Sequence, residues 1–125
     1  MLSNLLFILG SLISIGWGIA HIIPTKQVVT GFGDISKENR LIITMEWISE
    51  GITLCFVGTL VLVLTIMGFS SNQTGIAVIR LASLMLVSMA ILSLFTGAKT
   101  SITPIKICPI VKTFVAVLWF ITSIF

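Results

Sequence analysis

Two carboxylates stand inside a run that otherwise reads as membrane-buried helix, Thr44-Met45-Glu46-Trp47-Ile48-Ser49-Glu50-Gly51. Glu46 and Glu50 are four residues apart, which on a helix puts them on one face about one turn from each other. Ionisable groups at membrane depth are costly, and they face a protein interior or a wet cavity rather than lipid. The only histidine of the chain, His21, closes an earlier apolar run. A histidine with two carboxylates is capable of proton transfer, one glutamate serving as base and His21 or the other glutamate as acid. His21, Glu46 and Glu50 are therefore the candidate catalytic residues. Trp17 and Trp47 would supply flat apolar walls beside them, and with Lys112 they form the candidate ligand-binding set. Two plainer readings compete: His21 as a polar cap on its own helix end, and the glutamates as a solvated acidic collar at headgroup level.

Other chemistry is excluded more easily. His plus two Glu could hold iron, manganese or zinc, but the several carboxylates and Glu-x-x-His pairs of a di-iron bundle are absent from the sequence, and a haem would find one histidine. No metal and no cofactor is expected. Cys55 falls in an apolar run and Cys108 beside Pro109 in an expected loop, with neither CxxC nor zinc-site spacing, so both read as free thiols. No basic run interleaved with aromatics occurs, which argues against nucleic acid.

The elements that must position these groups follow from hydropathy. Of 125 residues 57% are hydrophobic and 9% charged, a mix that a water-soluble core of this size cannot bury. An all-α integral membrane bundle of four helices with short loops is expected, a single transmembrane domain over residues 1–125 with spans near 2–23, 41–69, 76–97 and 109–125. The first run lacks a basic n-region and exceeds a signal-peptide core, so it reads as a retained span. Its Asn4, Ser11, Ser14, Gly18 and His21 share one helical face, and Gly10, Ser14 and Gly18 form a small-xxx-small ladder. Packing inside the chain is the preferred use of that ladder, with a homo-oligomer seam as the alternative.

Pro24 marks the end of the first helix. In the following loop Gly31-Phe32-Gly33 provides a turn, while Val28, Val29, Phe32 and Ile35 could seat the segment on the membrane surface. Ser36 is the expected N-cap of a second helix from about Lys37 to Phe69, longer than a bilayer needs. Gly51 to Phe69 is charge-free and could nearly span alone, so the depth of the glutamates stays open at this stage. Lys112, in the first turn of the last span, is expected to snorkel to the interface. Lys26, Lys37, Arg40, Lys99, Lys106 and Lys112 flank the first and third loops, whereas Arg80 alone lies near the second. The positive-inside rule then puts both termini outside and gathers His21, Glu46, Glu50 and Lys112 at the cytoplasmic ends of their helices. A bacterial or archaeal plasma membrane is the expected location.

The sequence thus suggests a cytoplasmic-side intramembrane His/Glu pocket for a small apolar or amphiphilic molecule, with acid/base chemistry on it. The partners expected are membrane lipid and that small lipophilic molecule. The alternatives are a proton-coupled small-molecule transporter acting as an oligomer and a noncatalytic accessory membrane subunit. The order Gly16-Trp17-Gly18-Ile19-Ala20-His21, then Phe32-Gly33, then Glu46 and Glu50 before Gly51 resembles the DoxX-like group of small four-helix membrane proteins over the first half of the chain. That resemblance implies a four-helix bundle. Members have been linked to quinone-coupled sulfur oxidation, but this chain has no redox cysteine pair and no catalytic residue is carried over.

Overall fold

Helices that are apolar on every side cannot be finished by packing against one another, because each buries one stripe and leaves the rest outside. That is the arrangement here. The computed structural model describes residues 1–125 and contains four long helices, α1 (Leu2–Ile22), α3 (Lys37–Ile66), α4 (Gln73–Phe95) and α5 (Thr103–Thr122), with a short α2 (Thr25–Thr30) between the first two. All four are long and apolar enough to span a membrane. Their outer faces carry Phe56, Ile66, Leu81, Leu92 and Phe114, all exposed. Such a surface suits lipid and not water. The protein is an integral membrane four-helix bundle.

The interior is narrow. Phe7, Leu54, Val61, Ile79, Leu86, Val115 and Trp119 form its core, one stripe from each long helix. α1 lies along α3, α4 along α5, and α5 closes against α1, while α3 and α4 touch sparingly. Two steps of the ladder of small residues, Ser14 and Gly18, lie on the α1–α3 seam, while Gly10 lies under the Trp119 indole of α5. A methyl group at Gly18 would stand 2.7 Å from both the Gly51 carbonyl oxygen and the Cys55 sulfur, and Ser14 donates to the Leu54 carbonyl at 2.8 Å. Small residues let the two backbones approach this closely. Packing within the chain is thus its use.

Several boundaries differ from the sequence reading. The connection after Pro24 is not all loop, since residues 25–30 make a turn and a half of helix with Val29 buried. Ser36 does cap α3, accepting from the Asn39 amide at 3.1 Å, and Gly33 takes the positive φ of 71° that the preceding turn requires. The larger correction is in α5. It starts at Thr103, with Pro104 in the first turn where a missing N–H costs nothing, so Cys108 and Pro109 are helical rather than in a loop. Lys112 therefore belongs to the third turn, not the first.

Candidate functional site

The chain alternates direction, so the C-terminal ends of α1 and α4 meet the N-terminal halves of α3 and α5 at one end of the bundle. Side chains on a helix lean toward its N-terminus. On α5 this tilt sends the Lys112 stem up toward that end, and its ammonium meets Glu50 Oε1 of α3 and, at 2.7 Å, Ser93 Oγ of α4. Lys112 snorkels inward. Its side chain is 1% exposed against 28% for Glu50, so the expectation that it snorkels to the interface is corrected. A buried ammonium is tolerable only when paired and hydrogen-bonded, and Glu50 and Ser93 meet that condition.

His21 reaches the same carboxylate from α1. Its Nε2 lies 3.4 Å from Glu50 Oε2, near enough for an ion pair once the ring is protonated but misaligned for a hydrogen bond. Nε2 is consequently a buried polar atom without a hydrogen-bond partner. Trp47 fixes the ring's position. Its indole stacks on the imidazole with centroids 4.0 Å apart and planes 15° from parallel, and its N–H donates to the His21 carbonyl at 2.6 Å. That carbonyl is one of the last four of α1, which no later helical amide can satisfy. Trp47 thus caps α1 and clamps His21 together. The reading of Trp47 as a flat apolar wall missed this, because the bond joins residues 26 apart in the chain.

The two glutamates are divided. Glu50 turns inward to His21 and Lys112, whereas Glu46 is exposed and has no cation within ion-pair distance. Both line a groove of about 460 Å³ in the loose α3–α4 seam, with Ser49, Ser93 and Thr96 around them. Glu50 therefore faces the bundle interior and Glu46 does not.

On the other side of His21 a cavity of about 750 Å³ opens between the end of α1, α2 and the start of α5. Trp17, His21, Trp47, Phe32, Ile105 and Cys108 are among its walls. Trp17 donates its indole N–H to Cys108 Sγ at 3.3 Å, and that thiol in turn lies 3.8 Å from Glu50 Oε1. His21 and Trp47 stand between the cavity and Glu50, and the cavity is walled mainly by aromatic and aliphatic carbon. Of the six residues singled out from sequence, five come together here: His21, Glu50 and Lys112 as a polar string, Trp17 and Trp47 as cavity walls. Glu46 stays outside the string. Ser93, Cys108 and Phe32 were missed. The spacing of Ser93 from the glutamates carries no signal in one dimension, and Cys108 was discounted because its spacing from Cys55 makes neither a CxxC pair nor a zinc site.

No protein-family model matches this chain, and no curated protein and no solved structure shows significant similarity to it.

Proposed function

We propose that this membrane protein holds a small apolar or amphiphilic molecule in the cavity beside His21 and performs acid/base chemistry on its polar end. The observation that carries the reading is the place of His21 in the wall of a roomy apolar cavity with its Nε2 held 3.4 Å from Glu50 Oε2, a histidine backed by a carboxylate on one side and bordering space for a ligand on the other. The cavity volume falls in the range of small-molecule sites, about 300–1,000 Å³. An apolar body would stack against Trp17, Trp47 and Phe32, and a hydroxyl or carbonyl would meet the imidazole.

In this scheme His21 accepts or returns the proton. Glu50, paired with Lys112, lies 3.4 Å from the ring's Nε2 and stabilises the imidazolium as it forms, the part a carboxylate plays beside a catalytic histidine. Glu46 has no place in it. Lys26, Lys37, Arg40, Lys99 and Lys106 flank this end and, by the positive-inside rule, support a cytoplasmic cavity with both termini outside. The DoxX-like resemblance belongs to the same proposal and rests on the arrangement of the first half of the chain. A proton-coupled transporter is less well supported, since a cationic substrate would have to displace the Lys112 ammonium from Glu50 before it could use that carboxylate.

The test uses a dibrominated phenol, whose heavy atoms quench indole fluorescence at contact, with the protein in phosphatidylcholine nanodiscs. Trp17 and Trp47 border the cavity while Trp119 is fully buried in the core. Saturable quenching is expected in the wild type, lost in Trp17→Phe/Trp47→Phe and weakened in His21→Phe. Quenching that rises linearly without saturating, or that is equal for Trp119 alone, would sink the pocket.

A further inference from the structure

Arg80 stands at the opposite end of the bundle, the only charged side chain there, since all four acidic residues, Asp34, Glu38, Glu46 and Glu50, precede or occupy the His21 end. It is exposed yet held in place: Nε donates to Ser123 Oγ at 3.1 Å, Nη2 to the Ser123 carbonyl at 3.0 Å, and the guanidinium lies over the Phe120 ring. Two of the five N–H donors of arginine are used in this way, which leaves three without a protein partner. Directly below, α4 and α5 part to form a groove of about 710 Å³ walled by Leu81, Leu84, Val87, Val117, Phe120 and Ile121, with Arg80 at its mouth. On α4 the groove runs from Ala77 to Val87, ten residues or about 15 Å of helix rise. Half of a hydrocarbon core is also about 15 Å deep.

We infer that this groove is a binding site for one anionic phospholipid, its acyl chain lying along α4 and α5 within a single leaflet and its phosphate on the Arg80 guanidinium. A guanidinium fixed by two hydrogen bonds loses little further freedom when it binds phosphate, and its remaining donors suit two phosphate oxygens at once. A neutral headgroup region offers the same phosphate, but without net negative charge it gains less from an uncompensated cation. The inference is independent of the His21 cavity, which lies at the other end of the molecule.

The experiment reconstitutes the full chain in phosphatidylcholine nanodiscs and adds a trace of phosphatidylglycerol carrying a diazirine in its acyl chain, with the matching phosphatidylcholine probe in parallel. After photolysis, labelled peptides are mapped by mass spectrometry. Labelling by the phosphatidylglycerol probe is expected within residues 77–87 and 116–121, about fivefold above the phosphatidylcholine probe, the preference one cation near the surface confers. Arg80→Gln should bring the two probes level, Arg80→Lys should retain part of the preference, and Ala77→Trp, which fills the mouth of the groove, should lower labelling by both. Equal labelling by the two probes in the wild type overturns the proposal, as does an Arg80→Gln variant that keeps the preference. Disulfide cross-linking of Leu84→Cys between two copies, with no lipid labelling, would give the groove to a second chain instead. Inorganic phosphate that abolishes the preference at millimolar concentration would show a bare anion site without the acyl chain.

Discussion

Glu50→Met and Lys112→Met each break the same ion pair from one side, and the structure makes the two breaks unequal. Removing Glu50 strands an ammonium whose side chain is 1% exposed, with Ser93 Oγ as its remaining hydrogen-bond partner. Leaving one buried charge uncompensated costs about 3–5 kcal/mol. Removing Lys112 strands a carboxylate that is 28% exposed and has His21 3.4 Å away, able to take up a proton and replace the lost cation. Partial contact with water and a substitute partner reduce that cost to about 1–2 kcal/mol. The double variant leaves no stranded charge and fills the site with two flexible apolar chains, so its stability should return to within about 1 kcal/mol of the wild type. The assay is reversible unfolding in mixed micelles titrated with sodium dodecyl sulfate and followed by circular dichroism. The expected order of destabilisation is Glu50→Met first, then Lys112→Met, then the double variant. Lys112→Met costing as much as Glu50→Met would refute the asymmetry, and additive costs in the double variant would refute the pair.

Two neighbouring glycines of α1 should respond oppositely to the same change. Gly18→Ala puts a methyl 2.7 Å from the Gly51 carbonyl oxygen and 2.9 Å from the Cys55 amide nitrogen, backbone that cannot rotate away; forcing α1 and α3 apart should cost about 1–3 kcal/mol in the same unfolding assay. Gly16→Ala meets nothing within 4 Å and should stabilise α1 by up to about 1 kcal/mol through helix propensity. Trp47→Phe keeps an aromatic ring for His21 but loses the donor to its carbonyl; a cost of about 1 kcal/mol is expected, together with faster amide exchange over the last turn of α1 by mass spectrometry. Unchanged exchange there would mean that Trp47 does not cap the helix.

The acidic turn shows how far a sequence can be read toward a site. That Glu46 and Glu50 share a helix, and that His21 ends the span before them, followed from periodicity and from Pro24. Which of the two carboxylates meets the histidine did not. Residues four apart differ by about 40° around a helix axis, a small angle that becomes decisive when α1 packs on one side of it and the loose α3–α4 seam opens on the other. Lys112 was misplaced for a different reason. Pro109 reads as a break, whereas a proline near the start of a helix disturbs only the turn before it, and here Pro104 begins the helix earlier.

Composition and hydropathy alone determined that this is a four-span membrane bundle, that its basic residues crowd one end and that Arg80 stands apart at the other. Those properties are sums along the chain and survive any choice of packing. The partnership of His21, Glu50, Lys112 and Ser93, and the aromatic cavity beside it, were decided only by tertiary structure. They depend on the rotation of four helices about their axes, and close approach of small residues along the α1–α3 seam, together with the tilt of side chains on α5, sets that rotation in three dimensions.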